Sequence, residues 1–126
     1  MLQKIYTSRY SNKAITNESH VPVSISAGTP RFPLGYRTVT SIRNLAPSAT
    51  LRKIEDRETF RTIYRRQLEA EGVQTIRQLF NSCAKEGKPI VLLCFEDVRK
   101  DGVWCHRTVF AEWWQEKTGD KISELL

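Results

Sequence analysis

Apolar and polar positions change period several times along the chain, and each change marks an element. Residues 4–8 (Lys4-Ile5-Tyr6-Thr7-Ser8) form a short β-prone run. Residues 20–26 alternate, with Val21, Val23 and Ile25 on one side. Pro22 within that run suits a strand start better than a central strand, because it donates no ladder hydrogen bond. Residues 27–50 carry Gly28, Pro30, Pro33, Gly35 and Pro47, which predicts an extended loop with one short helical turn. Ordered loops of this length are usually functional or lids. Asp56 opens a helix reaching about Glu71, with Phe60, Ile63, Tyr64 and Leu68 at steps of three and four, and Gly72 stops it. A second helix, 73–85, places Ile76, Leu79, Phe80 and Cys83 on one face before Gly87 and Pro89 end it. Residues 89–95 are uninterruptedly apolar, as expected of a strand covered on both faces in a parallel sheet. A polar loop over 96–103 follows. The last helix runs from near Trp104 to about Lys117 with Val109, Phe110, Trp113 and Trp114 as its buried stripe, and Gly119 ends it. Residues 122–126 read as a short final strand or a tail.

Strands separated by helical stretches predict an α/β fold: a single three-layer domain, 1–126, with a small, mainly parallel sheet flanked by helices. The length of 126 residues suits one domain, and 40% hydrophobic with 27% charged residues is an ordinary globular composition. No segment approaches the ~18 consecutive apolar residues of a membrane span. The first residues run straight into a strand without a signal-peptide pattern, and three cysteines make no disulfide framework, so a reducing cytoplasmic location is expected.

Charge sharpens the picture. Between Arg31 and Arg66 nine basic residues stand against three acids, so this segment holds the entire net surplus of +6, and eight of the nine cations are arginine. Arginine's planar fork suits phosphate and carboxylate. Two readings stand: a surface for a polyanion or phosphorylated ligand, or a solvated helix face whose arginine stems cover apolar surface.

The candidate chemistry lies at Leu92-Leu93-Cys94-Phe95-Glu96 and, eight residues on, Cys105-His106-Arg107. Ligands of open α/β sheets bind beyond the carboxyl ends of the strands. Cys94 and Glu96 share a strand face, and Cys105 to Arg107 open the following helix. A thiol at a helix N-terminus ionises readily, making Cys105 a candidate nucleophile. His106 and Glu96 are candidate acid–base groups, and Arg107 beside free backbone N–H groups suits a bound anion. Each also has a plainer role: Cys94 and Cys105 as small core residues, His106 as a helix-start hydrogen bonder, Glu96 as an ion-pair partner of Arg107. Cys83 lies on an apolar stripe and reads as core, and His20 as a surface or structural residue. Cys94, Cys105 and His106 make three potential metal ligands with one open position. No Cys-x-x-Cys pair accompanies them, so zinc is disfavoured and the sequence requires no cofactor.

The run LLCFE followed by CHR resembles the signature of the bacterial family catalogued as domain of unknown function 488, with Cys-x-Glu ending a leucine-rich strand and Cys-His-Arg opening a helix. The segment YTSRY (6–10) is similar to that family's first strand, and FRTIYRRQL, which contains Tyr64, to its middle helix. The resemblance covers roughly residues 4–118. It implies a three-layer α/β fold in which Cys94, Glu96, Cys105, His106 and Arg107 cluster with Thr7, Ser8 and Arg9. Many members end the second strand with Asp-Val-Arg, where this chain has Ser24-Ile25-Ser26. Arg31 or Arg37 from the loop is the available substitute. The resemblance supplies a site and no reaction.

Two functions follow. One is a small enzyme on a phosphate-bearing ligand, a nucleotide or a nucleic-acid end, with Cys105, Glu96 and His106 as catalytic residues. Arg107, Cys94, Thr7, Ser8, Arg9, Arg37 and Tyr64 would line its ligand site. There is no Cys-x5-Arg loop for direct attack on phosphate, and neither Gly-x-Gly-x-x-Gly nor Gly-Lys-[Ser/Thr]. The other is a non-catalytic nucleic-acid-binding module, its Arg-rich 31–66 segment on the backbone and Phe32, Tyr36 or Tyr64 stacking on bases. No membrane partner is expected. The adjacent Trp113 and Trp114 predict one fully buried indole and one partly outward, available to a homodimer interface.

Overall fold

The computed structural model describes residues 4–28, 30–85, 87–95 and 105–125. The loop expected over 96–103, Glu96 included, lies outside them. Five strands, β1 (Ile5–Arg9), β2 (Val21–Ser24), β3 (Thr40–Ser41), β4 (Ile90–Cys94) and β5 (Ser123–Glu124), form one sheet in the order β3-β2-β4-β1-β5. Every pairing is parallel. Three helices, α1 (Arg57–Glu71), α2 (Val73–Cys83) and α3 (His106–Thr118), complete the α/β domain, with 3-10 turns at Arg43–Leu45 and Leu51–Lys53.

The centre of the sheet is β4, buried at all five positions. Alternation sends Ile90 and Leu92 to the face carrying the helices, where they pack with Val21, Val23, Ile25, Leu68, Phe80, Phe110 and Trp113. Val91 and Leu93 point the other way, against Tyr10, Ile15 and Tyr36. That second face is closed by the connecting segments on either side of β2, so the third layer is made of loops. An apolar run with no polar face thus becomes the strand with cover on both sides.

Local signals set the helices. The Asp56 carboxylate accepts from the Thr59 hydroxyl at 2.5 Å and from Thr59 N–H at 2.9 Å and caps α1; these two bonds to the charged form, the hydroxyl's foremost, hold the Asp56 pKa below its usual value. Gly72, at φ +84°, ends α1 and starts α2, a backbone conformation that side-chain-bearing residues rarely adopt. Helix α2 ends at Cys83 and α3 begins at His106, each a turn or less inside the expected limits.

Pro22 is the second residue of β2, at the start of an interior strand. The Val21 N–H bonds Pro89 C=O, so the next position's nitrogen turns toward β3, whose two residues begin only opposite Val23. The missing donor therefore costs no ladder bond. The loop over 27–50 contains β3 itself, too short to show as an alternating run. Trp113 and Trp114 are both buried, at 1% and 2% exposure. Trp113 Nε1 donates to Glu69, while Trp114 packs on Phe80 and Phe110 under the Arg77 guanidinium. Neither indole is left for a dimer interface. Among the described residues no helix is long and apolar enough to cross a membrane.

The Phe110 ring, fully buried, touches Phe80, Trp113 and Trp114. Phe110→Ala is expected to cost about 3–5 kcal/mol, read as a lower urea midpoint at unchanged m-value.

Candidate active site at the carboxyl edge of the sheet

Because all five strands are parallel, one edge of the sheet collects their carboxyl ends. Cys94 closes β4 there on the helix-bearing face, in register with Arg9 at the end of β1. The chain returns to this edge at Cys105, the extended residue preceding α3. Cys94 and Cys105 are joined as a disulfide, with Cα atoms 7.5 Å apart. Two of the three cysteines thus pair. Cys83 stays free and buried on α2, its thiol hydrogen-bonded to Leu79 C=O at 3.4 Å.

His106 completes the cluster. Its Nε2 lies 2.7 Å from Ile25 C=O. A carbonyl oxygen only accepts, so Nε2 carries the hydrogen and Nδ1 keeps its lone pair. Nδ1 sits 3.5 Å from each of the two sulfurs. The edge of Tyr64 closes over the ring at 5.6 Å. Burial, and secondarily the Arg107 charge, push the His106 pKa down to about 4, against the opposing effect of the Ile25 carbonyl. The imidazole is therefore neutral near pH 7: a lone-pair donor at Nδ1 rather than a ready proton source.

Arg107 has a different role from the one its position suggested. Its side chain is fully buried, and Nε and Nη2 donate to the two carboxylate oxygens of Glu124 at 3.0 and 2.9 Å. Thr7 Oγ1 donates to the same carboxylate at 2.8 Å. This bidentate pair, made by Nε and Nη2, ties the start of α3 to β5 and β1. Ser8 faces the loop layer, donating to Leu125 C=O and accepting from Asn12. Tyr64 is buried in the core and donates to Leu45 C=O at 2.5 Å, and burial raises its pKa. It packs edge-on against His106. Arg37 is exposed, with its backbone paired to Asn17 ahead of β2 and β3. That is the amino edge, away from the cysteines. Of the ten candidates, Cys94, Cys105 and His106 come together, Thr7 and Arg107 form the adjoining pair with Glu124, and Arg9 ends the neighbouring strand.

The surplus of arginine is partly consumed between helices. Helices α1 and α3 run side by side in the same direction, linked by Arg61–Glu112 at 3.4 Å, Arg65–Glu116, and Glu69 with Lys117 at 2.8 Å. Exposed pairs of this kind add little stability. Their alignment has another consequence: both N-termini point to the carboxyl edge. Between them lies a cavity of about 240 Å³ lined by Arg57, Glu58, Arg61, Cys105, Thr108 and Glu112. Arg57 has no ion pair among the described residues. A second cavity, about 470 Å³, follows β2 and β3 and holds Arg43 and Arg52. A larger one of about 520 Å³ lies beside Lys4 and Ile5 at the opposite edge, remote from the cysteines.

Sequence reasoning missed Glu124, which sits in a two-residue strand, and the Ile25 carbonyl, which as backbone has no residue signature. It also missed the Tyr10 hydroxyl, which bonds the hydroxyls of Ser24 and Ser26; alternating serines around Ile25 were its available signal.

The family model described as "DUF488-N3a: Active DUF488-N3 subclade" matches residues 4–118. No curated protein and no solved structure matches the chain.

Two outcomes test the site. Glu124→Ala strips the buried Arg107 of its bidentate partner and is expected to cost about 3 kcal/mol. Arg107→Met combined with Glu124→Leu should recover much of that loss; equal denaturation midpoints for wild type and Glu124→Ala would show that the pair does not brace the fold. For His106, the unfolded chain binds a proton near its ordinary pKa of 6.5, whereas the folded chain does so only near 4. Folding stability in the disulfide-linked chain should therefore fall as pH drops from about 6.5 toward 4, and His106→Gln should flatten that slope in pH-dependent urea melts.

Proposed function

Since the chain belongs to the DUF488 family and matches a subclade described as active, we propose that it is a small cytoplasmic enzyme acting on a phosphate-bearing ligand, a nucleotide or a nucleic-acid end. Its reaction centre is the Cys94–Cys105–His106 cluster. The observation that carries this reading is that Cys105 lines the same cavity as Arg57 and Arg61, between the N-termini of two parallel helices. Partial positive charge at both helix starts, together with the Arg57 guanidinium, favours an anion there, opposite the Glu58 and Glu112 carboxylates of the same lining. Once Cys94 and Cys105 are reduced, the Cys105 thiol lies at a helix N-terminus beside cations, the setting in which thiolates form most readily. His106 Nδ1 accepts a hydrogen bond from either thiol, with its orientation fixed by Ile25. Arg57, which has no ion pair among the described residues, takes the place of Arg107 as the anion-holding side chain.

The reading as a non-catalytic nucleic-acid module has less support from the same residues. Arg61 and Arg65 already face Glu112 and Glu116, which blunts the Arg-rich face as a backbone-binding stripe.

Calorimetry of the reduced chain with a nucleoside monophosphate and with a short single-stranded oligonucleotide tests the proposal. Arg57→Ala should weaken binding roughly tenfold, the effect of one charge-assisted hydrogen bond of about 1.5 kcal/mol. Arg37→Ala at the far edge should leave it unchanged. Binding indifferent to both Arg57 and Arg61, or no binding of either probe, would remove the reading.

A further inference from the structure

We infer that Cys94, Cys105 and His106 form, when the cysteines are reduced, a three-donor site for a thiophilic divalent cation, zinc above all, with a fourth position left for water or an incoming ligand. The three donor atoms lie within 4.8 Å of one another, and all three residues are buried. The inference stands apart from the substrate reading: it needs only these three atoms.

Geometry carries it. Zinc bonds thiolate sulfur at about 2.3 Å and imidazole nitrogen at about 2.0–2.1 Å, so a tetrahedral ion holds such a nitrogen and sulfur about 3.5 Å apart. Nδ1 already stands 3.5 Å from both sulfurs. Two edges of the tetrahedron are in place, and only the sulfur–sulfur edge must lengthen. Breaking the disulfide does that.

The surroundings fit the same ligand set. A metal-binding histidine normally donates its other N–H to a carbonyl or carboxylate, which fixes the tautomer and aims the lone pair. Ile25 C=O performs that function at 2.7 Å. Two thiolates and one imidazole select zinc over magnesium or calcium, which take oxygen donors. Cys105 also lines the Arg57–Arg61 cavity, so a fourth ligand has an approach from that side. The charges balance as well. A dithiol reductant gives two electrons and two protons to the Cys94–Cys105 bond and becomes a disulfide itself. Zinc then displaces the two thiol protons into solvent, and the doubly charged cation meets two thiolates.

Cobalt(II) is the probe, because tetrahedral thiolate coordination gives it near-ultraviolet charge-transfer and visible ligand-field bands. The reduced full-length chain should take up one cobalt per chain with both bands, and zinc should displace it. Cys94→Ser and Cys105→Ser should each abolish the stoichiometric uptake, and Cys83→Ser should leave it intact. A measurement on the wild type stands in where a variant fails to fold: zinc should slow alkylation of Cys94 and Cys105 at least tenfold, mapped by mass, without slowing that of Cys83. Absence of charge-transfer bands from the reduced wild type, or equal alkylation with and without zinc, would overturn the site. Neither readout involves a phosphate-bearing ligand, so failure here and failure of the substrate reading are separate results.

Discussion

The strand Ile90–Cys94 is covered on both faces, so it has no side on which to carry a polar group, and its chemistry is confined to where it stops. With β1 and β2 alongside in the same direction, that stopping point falls beside two other carboxyl ends. The chain then returns to this edge to begin α3, which brings the first residues of a helix against the last residue of the central strand. Cys94, Cys105, His106 and the Ile25 carbonyl meet for this reason. The site depends on the parallel packing of β4 more than on any single polar contact within it.

A junction so placed needs bracing, because α3 begins without a capping side chain. The brace comes from the next residue along. Arg107 reaches across to Glu124, and that carboxylate also accepts from Thr7, so one buried pair links α3, β5 and β1. Burying a guanidinium is costly unless its charge is met, and here it is met bidentately. The outcome reverses the simplest inference from a cation in the first turn of a helix. It is placed against the dipole to hold β5.

Much of the fold was legible because its determinants are local. Asp56 as a cap, Gly72 as a stop and the apolar run ending at Cys94 fix their elements within a few residues. What escaped was non-local or very short. β3 is two residues long, and Glu124 lies seventeen residues beyond the arginine it pairs with. Adjacent tryptophans on one helix predict one outward indole, but Phe80 and Arg77 of α2 cover Trp114. The strand-end cysteine, the helix-start cysteine and the histidine were readable as a cluster. Their mutual orientation was not, since it rests on a backbone carbonyl that no residue type announces.

That orientation decides between chemistries. A histidine meant to take a proton from a cysteine works best with a pKa near the operating pH. His106 is buried, faces the Arg107 charge and is held well below that range. It is therefore a weak base beside its two sulfurs, and the same burial that weakens it as a base keeps its lone pair unprotonated. The absence of a Cys-x-x-Cys pair argued against a metal because short spacings bring ligands together within one loop. Here the sheet does that work instead: the end of a strand and the start of a helix, eleven residues apart in sequence, arrive at one point with the imidazole between them. A neutral, fixed imidazole facing two sulfurs is better suited to sharing a cation than to driving proton transfer.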